Sequence, residues 1–241
     1  MIKRYLPAGL LALLLPVLPS FADEAAIEQR IGQFFPEMQV LEVTESPIAG
    51  LYQVQFSNGR LTYITADAEY IMHGSIFTWG DDSGPQNLTA RVERQGIARV
   101  LDAIPREKMV IFAPEEPKTH ITVFTDTSCG YCRLMHEEVE QLNELGIEVR
   151  YTAYVREGMR SNAAVVMESV WCAEDTRAAM DKAKRQQPVE RATCDNPLRE
   201  QFDLGQQIGV QGTPAIFFAN GELQPGYSPA DELARTALSK Q

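Results

Sequence analysis

Residues 23–79 carry one helical pattern, which several short strand patterns follow. Apolar residues at helical spacing occupy residues 23–35 and stop at Pro36. Beyond it, turn formers separate short apolar and β-branched runs, and Asn58-Gly59 is a strong hairpin signal because both residues tolerate positive φ. We therefore expect a small α+β unit. Its predicted strands are Val40–Thr44, Leu51–Phe56, Leu61–Thr65, Tyr70–His73 and Ile76–Trp79.

A turn-rich stretch follows at residues 80–85, and residues 87–104 then carry widely spaced apolar positions among charges. This pattern predicts a linker that leads into a helix. Gly96 weakens such a helix by about 1 kcal/mol relative to alanine. Pro105 ends it.

From His120 onward, strand patterns alternate with helical patterns, which is typical of a sheet covered by helices. Residues 160–208 read as mostly helical, with interruptions at Pro188 and Pro197. The fold class predicted here is α/β with a helical insert. The other predicted elements are strands at 121–125, 147–155, 215–219 and 223–227, and helices at about 130–145 and 229–238.

The N-terminus has the pattern of a secretory signal peptide. Lys3 and Arg4 precede an apolar stretch that is too short and too interrupted by proline to span a bilayer, and Ala22 ends a small-residue cleavage pattern. We expect a signal peptide at 1–22, an N-terminal domain at 23–84, a linker helix at 85–106 and a catalytic domain at 107–241. The mature chain is expected to be exported and soluble.

Charge narrows the choice of partners. Residues 23–241 hold 20 basic and 33 acidic side chains, a net charge of −13. Nucleic acid is therefore not an expected partner. An exported chain also works where disulfides persist, which changes how its four cysteines are interpreted.

Cys129-Gly130-Tyr131-Cys132 follows a predicted strand and begins a predicted helix. Backbone N–H groups and the positive end of the helix dipole stabilise a thiolate at that position. Cys129 is the expected nucleophile of thiol-disulfide exchange, and Cys132, one helical turn along, the resolving cysteine. Gly130 and Tyr131 are uncharged, so we expect them to shape the site sterically.

Two other readings of this motif stay open. One is a structural disulfide, although so short a loop stabilises a fold weakly. The other is half of a zinc site, but neither the remaining cysteines nor the three histidines supply a second close pair of ligands. We predict no metal and no cofactor.

Cys172 and Cys194 lie inside the helical insert, 22 residues apart. We expect a buried structural disulfide that stabilises the fold by about 3 kcal/mol in the loop-entropy model. A second redox pair and free thiols are the alternatives. Downstream, Gly212-Thr213-Pro214 precedes a strand, a place where a cis proline is tolerated, although a trans bond is the default.

Three groups of residues accompany the cysteines: Phe124-Thr125-Asp126 before the Cys-Gly-Tyr-Cys motif, Gly212-Thr213-Pro214-Ala215, and Asn220-Gly221 followed by Pro225-Gly226-Tyr227. Together they resemble the periplasmic disulfide isomerases of the DsbC and DsbG type. The resemblance covers nearly the whole mature chain, and Gly130 favours the isomerase branch.

The resemblance implies a thioredoxin-like catalytic domain, joined by a linker helix to a small dimerisation domain, in a V-shaped homodimer. It makes Cys129 the nucleophile and Cys132 the resolving cysteine. Pro214 would be a cis proline beside them, and Thr213 would offer backbone hydrogen bonds to an extended substrate segment. Cys172 and Cys194 match the structural bridge of the family.

Two polar residues near the motif are interpreted as surface residues. Val123 stands where thioredoxins often have a buried aspartate, so a buried carboxylate proton acceptor is missing there. We expect Asp126 to be a solvated loop residue and His136 a surface histidine.

The expected function is isomerisation or reduction of non-native disulfides in exported proteins, with possible chaperone activity, in the periplasm. The expected partners are misoxidised exported proteins, a second copy of the chain and a membrane thiol-disulfide reductase of the DsbD type. A donor oxidase and a non-catalytic dimeric holdase remain the alternatives.

Overall fold

A computed structural model describes residues 24–80 and 84–241. The predicted signal peptide lies outside these residues, as does the middle of the predicted turn at 80–85. Along the described chain, helices and strands form an N-terminal α+β unit, a helix that follows it and an α/β unit.

The N-terminal unit packs one helix on an antiparallel sheet. Helix α1 (Glu24–Phe34) buries Ile27 and Ile31 against apolar side chains of the sheet, among them Val54. The sheet has the order β1-β2-β3-β4, with all neighbours antiparallel. Its strands are β1 (Val40–Glu45), β2 (Leu51–Phe56), β3 (Leu61–Thr65) and β4 (Ile71–Met72).

A second hairpin joins this unit to the helix that follows. Strand β5 (Phe77–Gly80) pairs antiparallel with β6 (Gly84–Asn87). Helix α2 (Leu88–Asp102) begins directly after it, and the side chain of Asn87 caps the helix by accepting from the Ala90 N–H. The predicted helix is confirmed, and it continues through Gly96.

Gly96 has a packing role. A side chain there would collide with the Gln55 side chain and with the backbone of Gly59. The helix therefore lies close against the β2–β3 hairpin, which explains why a residue that weakens helices occupies this position.

The C-terminal unit is a five-stranded mixed sheet with helices on its faces. The order is β11-β10-β8-β9-β7; β8 and β9 are parallel and the other neighbours are antiparallel. The strands are β7 (Val110–Phe112), β8 (Thr119–Thr125), β9 (Ile147–Ala153), β10 (Ala215–Phe218) and β11 (Leu223–Pro225). The helices are α3 (Gly130–Glu137), α4 (Val139–Glu144), α5 (Asn162–Trp171), α6 (Thr176–Lys184), α7 (Leu198–Gln207) and α8 (Ala230–Ser239).

Two apolar cores enclose this sheet. The larger one contains side chains of β8, β9, α5 and α8, including the fully buried Ile121, Val149 and Leu233. The smaller one joins Ile97 and Leu101 of α2 to buried side chains of the sheet, among them Phe124. Helix α2 is thus part of the packing of the α/β unit.

The predicted fold class is confirmed, with three local differences. The helix predicted at 130–145 is two helices, interrupted at Glu138, whose carboxylate accepts hydrogen bonds from the Tyr227 hydroxyl and the Ala230 N–H. Strand β6 lies in the segment read as a linker, because a partner strand offsets its weak strand propensity. Strand β7 was not predicted, and it is only three residues long.

Candidate active site

Cys129 and Cys132 lie where β8 passes into α3. Cys129 is the N-cap residue of α3, and its sulfur accepts a hydrogen bond from the Cys132 backbone N–H at 3.4 Å. Both sulfurs are thiols in this structure, and both residues are buried. Between them, Gly130 and Tyr131 are exposed, with 65% of Tyr131 accessible to solvent.

The loop before β10 forms the other side of the site. The Thr213–Pro214 peptide bond is cis, as the resemblance implied. The Cys129 thiol donates a hydrogen bond to the Thr213 carbonyl oxygen at 3.2 Å. Pro214 is buried and Thr213 is half-buried. Residues 84 positions apart in sequence are thereby brought into contact at one end of the sheet.

The surroundings stabilise a thiolate on Cys129. The Cys132 thiol donates a hydrogen bond to the Cys129 sulfur, and this is the largest cause that lowers the pKa of Cys129 to about 5. The Thr213 side chain, the Cys132 backbone N–H and the Arg156 guanidinium lower that pKa further, against burial, which raises it. Cys129 is therefore ionised at neutral pH.

Cys132 has the opposite properties. Burial is the largest cause that raises its pKa far above the usual value, and the hydrogen bond that it donates to Cys129 adds to this rise. The Lys184 ammonium acts in the other direction. The two cysteines are thus a thiolate and a protonated thiol one helical turn apart, which suits a nucleophile and a resolving group.

The second cysteine pair is joined. Cys172 and Cys194 form a disulfide with an S–S distance of 2.03 Å, linking the end of α5 to the segment before α7. The predicted pairing is confirmed, but the prediction that the bridge is buried is wrong, because Cys194 is exposed and Cys172 is half-buried. The segment that carries Cys194 has no regular secondary structure, and the residues on both sides of Cys194 are exposed.

The prediction for Asp126 is also wrong. This residue has no solvent-accessible surface. Its carboxylate accepts hydrogen bonds from the Ser128 N–H and hydroxyl and from the Arg156 N–H, and it pairs with the Arg156 guanidinium. Asp126 therefore fixes the turn that presents Cys129, and the sequence could not show that both partners would converge on it.

His136 is buried as well, with 9% of its surface exposed, although it was predicted to lie on the surface. Its ring nitrogens lie 3.0 Å from the Tyr151 hydroxyl and 2.8 Å from an Asp181 carboxylate oxygen. Burial lowers the pKa of His136. His136 lies in the last turn of α3, on the side that α6 covers, and this side could not be identified from the sequence without knowing where α6 lies.

Sequence reasoning missed two cations near the cysteines. Arg156 follows β9, and its guanidinium contacts the Asp126 carboxylate. Lys184 is the last residue of α6, and its ammonium donates a hydrogen bond to the Asp126 carbonyl oxygen, just before the cysteine motif. Arg156 carried no sequence signal, because its partner is thirty residues away. Lys184 did carry one: it stands four residues after the buried Met180, on the apolar face of its helix.

Comparisons with known proteins agree with this arrangement. A model of a thioredoxin-like domain matches residues 106–239, and a model of the disulfide bond isomerase protein N-terminal domain matches residues 19–90. The thiol:disulfide interchange protein DsbC of Dickeya dadantii is 42% identical over 88% of this chain and 85% of its own. The chain belongs to the DsbC family of thiol:disulfide interchange proteins.

Other relatives extend the match. The DsbC protein of Salmonella typhimurium is 40% identical over 96% of this chain and 93% of its own, and that of Escherichia coli is 39% identical over 88% and 86%. Membership of the DsbC family makes the chain a thiol-disulfide oxidoreductase that acts as a disulfide isomerase.

Solved structures support the fold. The crystal structure of a disulfide interchange protein from Neisseria gonorrhoeae has 30% sequence identity and a TM-score of 0.50, and it covers 56% of this chain and 99% of its own. A linker-deletion variant of ScsC from Proteus mirabilis has 18% identity and a TM-score of 0.53 over 63% of this chain and 84% of its own. At this identity the likeness shows a shared fold only.

Residues 24–80 and 84–241 contain neither a transmembrane helix nor a cluster of metal ligands. No helix in these ranges is long and apolar enough to cross a membrane. Within the same ranges, no three His, Cys, Asp or Glu side chains lie close enough together to hold a metal ion.

Proposed function

We propose that the chain isomerises or reduces non-native disulfides in exported proteins through a mixed disulfide on Cys129. One observation carries this proposal: the pKa of Cys129 is lowered to about 5, while Cys132 stays protonated and donates a hydrogen bond to the Cys129 sulfur. A thiolate is the attacking species in disulfide exchange.

The reaction has one first step and two ways to end. The Cys129 thiolate attacks a substrate disulfide, forming a mixed disulfide and releasing one substrate thiolate. A second substrate thiol then displaces Cys129, which leaves the substrate rearranged and the enzyme dithiol intact. Alternatively, Cys132 displaces the substrate, which leaves the substrate reduced and the enzyme oxidised.

Residues around the sulfurs would receive the substrate chain. Exposed Gly130 and Tyr131 offer a surface on one side of Cys129, and the Thr213 backbone with the cis Pro214 offers an edge on the other. An extended substrate segment laid along that edge would bring its disulfide to the Cys129 sulfur. In this proposal Cys172 and Cys194 have a structural role only.

The N-terminal unit would pair with a second copy of the chain. Several of its large apolar side chains are exposed, and among the described residues no strand pairs with the outer edge of the two-residue strand β4. A sheet edge and apolar side chains of this kind are commonly covered by another chain. The exposed side chains include Phe34, Tyr70, Ile71, Phe77 and Trp79.

We extend the proposal to organisation and setting. The division into 1–22, 23–84, 85–106 and 107–241 would correspond to signal peptide, dimerisation domain, linker helix and catalytic domain. The periplasm would be the site of action. A membrane reductase of the DsbD type would keep Cys129 reduced, and a cleft between two copies could hold partly unfolded chains, giving chaperone activity.

Refolding of a scrambled multi-disulfide protein by residues 23–241 tests the function, with mass measured in solution. We expect the wild-type dimer to recover native disulfides and Cys129→Ala to lose recovery. Undiminished recovery by Cys129→Ala in a glutathione buffer would mean that glutathione exchanges the disulfides while the chain only holds its substrate. A monomer that rapidly oxidises reduced substrate, with no recovery from the scrambled state, would make it a donor oxidase.

A further inference from the structure

Lys184 is an ammonium group enclosed in the interior of the α/β unit. Only 4% of the residue is exposed, and it lies on the apolar face of α6 with Ala179, Met180 and Ala183. Its Nζ donates to the Thr125 hydroxyl at 2.5 Å and to the Asp126 carbonyl oxygen at 3.2 Å. Both partners are uncharged oxygens, so the hydrogen bonds that hold the cation do not neutralise it.

This ammonium lies behind the cysteine pair. Thr125 and Asp126 end β8 and lead into the turn before Cys129, and the Asp126 backbone also contacts the Cys132 sulfur through a hydrogen bond. The backbone of Asp126 therefore connects Lys184 with Cys132: its carbonyl oxygen accepts a hydrogen bond from the Lys184 ammonium, and its backbone also bonds the Cys132 sulfur. The ring centroid of Tyr151 lies 5.4 Å from Nζ and closes the inner side.

The charges around Lys184 come from several elements. Cys132, Asp126 and Cys129 favour its charged form, and Arg133 on α3 opposes it. Asp181 and Arg185 neighbour it in sequence, and with Arg133, Lys184 and the largely buried His136 they line a cavity of about 300 Å³. Burial is the largest influence, and it lowers the pKa of Lys184 to about 8.

A purely structural role does not explain a lysine here. Removing an ammonium from water costs free energy that two neutral hydrogen bonds do not fully restore, and an apolar side chain of similar length would avoid that cost. What the position does offer is a positive charge that favours the thiolate of Cys132, a sulfur that must become negative in the resolving step. Cys132 is only 1% exposed, so water gives its thiolate little stabilisation.

We propose that Lys184 is a positioning residue for the resolving step: its ammonium stabilises the Cys132 thiolate and so raises the fraction of mixed disulfides that end in reduction rather than rearrangement. This inference rests on the proposed function. Lys184 acts through Cys132 and does not itself exchange atoms with the substrate.

The step balances without any further reactant. The Cys132 thiol gives its proton to water, and the Cys132–Cys129 S–S bond forms as the bond between Cys129 and the substrate sulfur breaks. The substrate sulfur leaves with the electron pair and takes a proton from water. The cysteine pair is oxidised by two electrons and the substrate is reduced by two, while Lys184 keeps its proton.

Two substitutions separate the charge of Lys184 from its hydrogen bonds. Lys184→Met removes both, and Lys184→Gln removes the charge but keeps a donor for the Thr125 hydroxyl. In each we expect the ratio of reduced to rearranged substrate to fall about tenfold. Because the same charge stabilises the Cys129 thiolate of the reduced enzyme, we expect the reduction potential to fall by about 30 mV, which is a tenfold change in a two-electron equilibrium.

Lys182→Met is the matched control, since Lys182 lies on the same helix and is exposed. It should leave both readouts unchanged. Thermal unfolding of the oxidised variants reports on folding. An unchanged ratio of reduced to rearranged substrate in both Lys184 variants would overturn the inference, as would a change in Lys184→Met that Lys184→Gln does not share, since the hydrogen bond would then be responsible.

A measurement on the unmodified chain covers the case in which the variants do not fold. Coupling between two charges is reciprocal, so a Lys184 that stabilises negative charge at the cysteine pair must have a higher pKa in the reduced protein, where Cys129 is a thiolate, than in the oxidised protein. NMR titration of the lysine side chains in both states measures this, and equal pKa values would overturn the inference. The potential and the titration need no isomerase substrate, so they can succeed or fail independently of the refolding assay.

Discussion

The two cysteine pairs of this chain differ in function, and the burial of their side chains would predict the wrong pair as the structural disulfide. Cys129 and Cys132 are buried yet unjoined, whereas Cys172 and Cys194 are joined although Cys194 is exposed. The first pair lies at a helix N-terminus among hydrogen-bond donors and a guanidinium, and the second links two segments of the insert. Polar surroundings, and not depth, distinguish a pair suited to exchange from one suited to holding a fold.

The largest expected effect is on the rate of disulfide exchange, which should depend on the first cysteine pair and not on the second. Cys129→Ala removes the attacking thiolate, so we expect disulfide exchange to fall at least about a hundredfold, as for other losses of a catalytic nucleophile. Replacing Cys172 and Cys194 together by alanine should leave the exchange rate of the folded protein within about threefold, because neither sulfur lies at the site. A stopped-flow assay with a small disulfide measures both, and equal losses would contradict the distinction.

The second effect reverses the comparison and concerns stability. Without the Cys172–Cys194 bridge, the free energy of unfolding should fall by about 3 kcal/mol, since the bridge closes a loop of 22 residues. Urea unfolding at neutral pH measures the loss. Cys132→Ala in the same chain is the control, and a larger loss there would show that the first pair is the structural one.

The third effect is a pH dependence confined to the first pair. Since the folded pKa of Cys129 is lowered to about 5, its rate of alkylation should rise through about pH 5 and then stay level to pH 8. The same shift stabilises the reduced fold: the contribution is fully present above the unfolded pKa of about 8.5 and is lost as the pH falls through about 5. A midpoint near 8.5 would contradict the thiolate assignment.

The smallest effect should come from Arg156. Its guanidinium lowers the pKa of Cys129 less than the hydrogen bonds from Cys132 and Thr213 do. Arg156→Ala should therefore move the midpoint of alkylation slightly upward, and Arg160→Ala, which removes a nearby exposed arginine, should not move it. A shift of equal size in both variants would mean that net charge, and not the position of Arg156, is responsible.

The sequence predicted the architecture where patterns were long and local. Helix α2 was found from its spacing and its proline stop, and the β2–β3 hairpin from Asn58-Gly59. Strand β6 was missed because Gly84–Asn87 has weak strand propensity and is held by its partner. The split at Glu138 depends on contacts from residues about ninety positions away, which no local pattern contains.

Of the candidate site, the sequence predicted the motifs but not which polar residues are buried around them. The cysteine motif and the threonine–proline loop could be named because their residue types and order are distinctive. The burial of Asp126 and His136 could not, since each is enclosed by side chains from elements distant in sequence. Lys184 falls between these cases, because its place on an apolar helix face was visible but its neighbours were not.

The most direct test of the account is to identify the sulfur that carries the substrate. The variant Cys132→Ala should accumulate a mixed disulfide with a scrambled protein, because the resolving thiol is gone. Peptide mapping by mass spectrometry should then find the substrate joined to Cys129 alone. A substrate joined to Cys172 or Cys194, or no mixed disulfide while isomerisation proceeds, would contradict the assignment of Cys129 as the nucleophile.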